Sequence, residues 1–234
     1  MSDKSNYLSI SEIIWPYRPD ILIRIDFLEW FNENKYKYFD NGLLKLTEKD
    51  VIENELFFSE AKKHPYFLQF TRKRRYRKLN LSKKESEKIY ANGITTFINL
   101  LESVRKNGFD NQQKIGLFKT LFLKNPVYGR KIARNVYMGD GCHRLACLIW
   151  LEKNLLLPKE FFNVQSKLVY KPVNSFGIFS RLKIFDSNDE IKFHQLFKGT
   201  EKPDFDGIIR WTEGVRKRFR NQNIDELFNI MFIR

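Results

Sequence analysis

Apolar residues recur at Ile94, Phe97, Ile98, Leu101 and Val104 within ITTFINLLESVRKNGFD, residues 94 to 110. The spacing i, i+3, i+4, i+7 places them on one face of an α-helix. Asn107-Gly108 predicts its end, because glycine takes the positive-φ conformation of a helix C-cap. Upstream, Thr47-Glu48-Lys49-Asp50 predicts the start of helical text running to Phe70, with a second start near Ser59. Ser82 to Glu87 predicts a further, solvated helix start. LACLIWLEKN, 145 to 154, is apolar on all sides and predicts a helix covered on most faces.

Other stretches read as strands. In DILIRIDFL, 20 to 28, apolar positions alternate partly with Arg24 and Asp26, after a turn marked by Pro16 and Pro19. KIGLFKTLFL (114 to 123), NVYM (135 to 138), FNVQSKLVYK (162 to 171) and Phe179 to Phe185 follow. IKFHQLF and GIIRWTEGVRKRFRNQ predict helix in the C-terminal third. Repeats, low-complexity tracts and a clean linker are absent, so 1–234 reads as a single elaborated domain with 172–234 as a C-terminal addition. The 22 Phe, 10 Tyr and 4 Trp predict an aromatic-rich interior.

Between the strand at 135 and the apolar helix lies a polar knot, Asp140-Gly141-Cys142-His143-Arg144. The first turn of a helix leaves backbone N–H groups without intrahelical partners, and the helix dipole adds partial positive charge there. Gly141 lets the main chain approach an anion closely. Arg144 adds a permanently charged fork of donors and His143 a titratable one. Gly141, Cys142, His143 and Arg144 are therefore candidates to hold phosphate. Asp140 is a candidate N-cap, or an acid facing a ligand or a magnesium ion.

Composition widens the choice of partner. Lys and Arg number 42 against 28 Asp and Glu, a net charge of +14, which attracts phosphates, nucleic acid or acidic surfaces. Arg72, Lys73, Arg74, Arg75, Arg77 and Lys78 crowd around Tyr76 and form a candidate grip on a nucleic-acid backbone, with the ring available to stack. Glu60 and His64, one helical turn apart, read as a surface contact ahead of an acid–base or metal pair. Cys142 and Cys147 point roughly 140° apart on a helix and are poorly placed for a disulfide. They also lack the second pair of a structural zinc site. That cysteine usage suits a reducing cytoplasm. The polar start and the absence of a long apolar run predict neither a signal peptide nor a membrane span.

The order of elements carries a resemblance. A helix ending in NGFD, a strand KIGL, the motif DGCHRLA opening an apolar helix, and a strand NVQSKLVY follow one another over residues 93 to 171. This resembles the ParB/sulfiredoxin superfamily. The resemblance implies an α+β fold: a mixed small sheet with packed helices, its core at 93–171 with the strand 20–28, elaborated by N-terminal helical and C-terminal α/β additions. It also implies ATP or another nucleoside triphosphate, with Mg2+, bound by its phosphates at the motif.

Three functions stand open. In the first, the chain is a nucleotide-dependent phosphotransferase, acting on a small molecule or sugar, or a nucleotide hydrolase. Asp140, Gly141 and Arg144 match the Asp-Gly-x-x-Arg motif of the superfamily's amino-acid kinases, with Asp140 and His143 as catalytic candidates. The second is a nucleic-acid-associated nuclease or nucleotide-gated clamp, although a helix-turn-helix after residue 172 is missing. The third is an ATP-dependent cysteine sulfinic acid reductase, because Cys142 stands where sulfiredoxins place their catalytic thiol. Asp140 replaces the first glycine of that motif and sets a carboxylate beside the thiol, which opposes its ionisation.

Overall fold

The computed structural model describes residues 7–9, 13–14, 19–39, 45–67, 82–110, 112, 115–124, 131–137, 141–154, 156, 163–168, 186–195, 207, 210, 211, 214 and 217. Six helices are described: α1 (Pro19–Tyr38), α2 (Glu48–Glu53), α3 (Glu55–Lys62), α4 (Lys83–Asn107), α5 (Cys142–Lys153) and α6 (Ser187–Gln195). Five strands are traced by their main chain, with only Ile115 described through its side chain: β1 (Tyr7–Ser9), β2 (Ile13–Ile14), β3 (Ile115–Lys124), β4 (Lys131–Tyr137) and β5 (Asn163–Leu168). They pair in the order β1-β5-β3-β4-β2. β3 runs antiparallel to β4 and parallel to β5, and its register against β4 shifts between Thr120 and Leu123.

The part of the chain described through its side chains is 81% helical and, Ile115 of β3 aside, forms no strand or sheet. That overturns the α+β class, a mixed small sheet with packed helices, as the description of this body. Residues 20–28 give the physical reason. They are not a strand but the first half of α1, which opens on Pro19, well suited to a helix's first turn, with Asp20 beside it. Asp20, Ile21, Leu22, Ile23, Arg24, Asp26, Phe27, Leu28, Trp30 and Phe31 are all buried. A helix enclosed on nearly every face needs no polar side, so its text lacks the 3.6-residue period and the partial alternation around Arg24 and Asp26 imitates a strand.

The other helices follow local rules. Thr47 caps α2 through a capping box with Asp50, and Ser82 caps α4 through one with Glu85. The second start falls at Asn54, whose side chain accepts from the Phe57 N–H at 2.9 Å, and not near Ser59. Gly108 ends α4 with φ 75° and donates its N–H to the Val104 carbonyl at 2.9 Å. α5 packs against α1 and α4. Its residues Leu145 to Leu151 are all buried, the cover its apolar text demands. Trp150 secures α5 to α1 by donating Nε1–H to Glu29 at 2.6 Å. Phe27, Trp30, Phe57, Tyr66 and Phe97 stack or meet at a tilt in the core, the aromatic interior expected from composition. The expected strand Phe179 to Phe185 lies outside the described residues, as does most of the 172–234 addition.

Candidate functional site

α5 begins in an unusual way. Its N-cap is Gly141, in the left-handed conformation with φ 89° and ψ 24°, and no side chain caps the helix through it. The Gly141 carbonyl accepts the first helical bond from the Leu145 N–H at 2.9 Å. The cap therefore does not fall on Asp140, which lies outside the described residues. Arg144 folds back over the glycine: a Cβ built on Gly141 would stand 3.2 Å from its Nη2 and 3.4 Å from its Nε. The positive φ strains any ordinary side chain at 141, and a Cβ there would require the Arg144 fork to give by a few tenths of an ångström. The guanidinium, the helix dipole and the first-turn N–H groups together concentrate positive charge at one end of a buried helix.

His143 is half-buried and set in an aromatic slot. Its ring meets Phe97 edge-on at 4.8 Å between centroids and Tyr66 at 6.1 Å. Nε2 lies 3.0 Å from the Tyr66 hydroxyl, and Nδ1 faces Cys142 Sγ at 3.9 Å. The Tyr66 phenol is fully buried. Burial pushes its pKa well above the usual value; the Arg24 charge opposes the rise, while Tyr90, Cys142 and Cys147 add to it. Tyr66 therefore presents a neutral hydroxyl to His143 at any physiological pH.

Behind Tyr66 stands a polar pair that the sequence reading missed. His64, 1% exposed, places Nε2 2.8 Å from Asp26 Oδ2, and its Nδ1 accepts the Tyr66 backbone N–H at 3.1 Å. Glu60, expected beside His64 on the surface, binds Lys63 instead at 2.7 Å. Two residues before Asp26 in α1, Arg24 donates to Asp20 Oδ2 at 2.8 Å and to the Asp20 carbonyl at 2.7 Å. Both carboxylates lie in the stretch whose partial alternation reads as a strand. The i, i+4 spacing of Asp20 and Arg24, with Pro19 before it, is the signal in the text that points to a helix.

Gly141, Cys142, His143 and Arg144 thus gather at one helix start. Cys147 is buried in the core, and burial raises its pKa far above the ordinary thiol range. The cysteines are both free. Arg72, Lys73, Arg74, Arg75, Arg77 and Lys78 lie outside the described residues. Among the described residues, no group of three or more His, Cys, Asp or Glu stands together as a metal site, and no helix is long and apolar enough to cross a membrane. No family model, curated protein or solved structure matches the chain.

Proposed function

We propose that the protein binds the phosphate groups of a nucleotide at the first turn of α5. The ligand is ATP or another nucleoside triphosphate carried with Mg2+, and its use is phosphoryl transfer to a small-molecule or sugar acceptor, or hydrolysis. The observation that supports this reading is the glycine cap of α5 with the Arg144 guanidinium folded beside it. Phosphoryl transfer asks a protein chiefly to position phosphates and to balance their charge, and a helix start flanked by an arginine fork supplies both. His143 adds a second nitrogen donor on the same turn. Calorimetric titration with Mg-ATP, Mg-ADP and Mg-CTP tests the reading, with Arg144→Ala as the variant that removes the fork and Cys142→Ser as one that retains binding.

A nucleic-acid partner is the second reading, favoured by the net charge of +14. It expects retention on heparin and binding to DNA or RNA that weakens steeply as salt is raised.

A further inference from the structure

The described polar groups behind the start of α5 form one connected line. Asp26 meets His64, His64 meets the Tyr66 backbone, and the Tyr66 hydroxyl meets His143. The direction of the bonds can be worked out from the donors. The Tyr66 N–H donates to His64 Nδ1, so that nitrogen carries no proton. The His64 proton is then on Nε2 and points at the Asp26 carboxylate. With both nitrogens engaged and the ring buried, His64 is not a general base. Its place in the line is to hold the Tyr66 segment.

The Tyr66 ring is equally confined. Phe27 lies 4.4 Å from it and Phe97 5.3 Å, centroid to centroid, and Phe27 also meets His64 edge-on at 5.2 Å. The hydroxyl is directed at His143 Nε2. Between a phenol and a neutral imidazole, the phenol O–H is the more acidic donor and the ring nitrogen the more basic acceptor. The favoured bond therefore runs from Tyr66 to Nε2.

We propose that Tyr66 is a positioning residue for His143: anchored by the Asp26–His64 pair, it donates to Nε2 and so fixes the imidazole with its proton on Nδ1, on the Cys142 side of the first turn of α5. The consequence for ligand binding, an N–H donor of set direction beside Gly141 and Arg144, rests on the phosphate-binding reading above. The positioning itself does not.

The experiment is nitrogen-15 NMR of the imidazoles in the ligand-free protein. The chain has three histidines, and His143→Gln assigns the signal of interest. The wild type is expected to show neutral His143 with Nδ1 protonated and Nε2 accepting. Tyr66→Phe, which keeps the packed ring, is expected to move His143 toward the Nε2–H form that neutral imidazole prefers in water, with the His64 signals unchanged. A wild-type His143 protonated on Nε2 would overturn the proposal even if Tyr66→Phe failed to fold. So would a tautomer that Tyr66→Phe leaves unaltered. Mg-ATP titration of the same sample then separates the two ideas: an Nδ1–H ring in a protein that binds no Mg-ATP leaves the positioning standing and removes the nucleotide reading.

Discussion

The Arg144 guanidinium packs closely over Gly141: its Nη2 lies 3.2 Å from where a Cβ on residue 141 would stand. Gly141→Ala is expected to act twice. It places an alanine at φ 89°, at a cost of about 1–2 kcal/mol, and it pushes the fork away from the helix start. Urea unfolding reads the first effect and Mg-ATP titration the second. Full affinity in a destabilised Gly141→Ala protein would separate Arg144 from the site.

The buried pair Asp26 and His64 predicts a larger loss. His64→Ala leaves the Asp26 carboxylate buried without its ring donor and opens a gap beside Phe27 and Trp30. The expected cost is about 3 kcal/mol. Glu60→Gln, which breaks only the half-exposed contact to Lys63, is expected to stay within about 0.5 kcal/mol. Equal losses in the two variants would contradict the assignment of His64 to the core.

Alkaline pH tests the buried acids. Tyr66, Tyr90 and Cys147 all have pKa values raised by burial. In the unfolded chain the thiol ionises near 9 and the phenols near 10, while the native protein keeps all three protons. The native state then binds more protons than the unfolded one, so stability falls as pH rises. The contribution is fully present below pH 9 and declines above it by about 1.4 kcal/mol per pH unit for each group once ionised in the unfolded chain. Denaturant unfolding at pH 8, 9, 10 and 11 checks this. A flat profile to pH 11 would mean that these groups are not shielded from water.

How much of this was legible beforehand varied with burial. The helix over 94 to 107 was readable because one of its faces is exposed, and the capping boxes at Thr47 and Ser82 are local pairings written in four residues. α1 reads as a strand despite Pro19 and the Asp20–Arg24 spacing at its start. Its enclosure removes the polar face, and its partners His64, Trp150 and Lys153 are tens of residues away. The knot at 141 to 144 was visible as chemistry, since glycine, histidine and arginine before an apolar run are a local signal. Tyr66 was invisible as a site residue because only the tertiary fold brings it to His143, 77 positions on.

Asn54 was missed for a related reason, serving two helices at once. Its carbonyl caps α3 at Phe57 N–H while its amide donates to the Tyr38 carbonyl at the end of α1, at 2.6 Å. Asn54→Ala is expected to cost about 1–2 kcal/mol, and Asn54→Asp, which keeps the cap but loses the amide donor, about half of that. Thermal unfolding of the two variants gives the comparison; an equal loss would show that the cap contributes nothing.

Calorimetric titration of Mg-ATP, Mg-ADP and Mg-CTP into the wild type and Arg144→Ala tests phosphate binding at the start of α5 most directly. The predicted result is micromolar binding of at least one nucleotide by the wild type, lost in an Arg144→Ala protein that unfolds at the wild-type temperature. A well-folded wild type that binds none of the three would contradict the phosphate site and leave the basic surface as the lead.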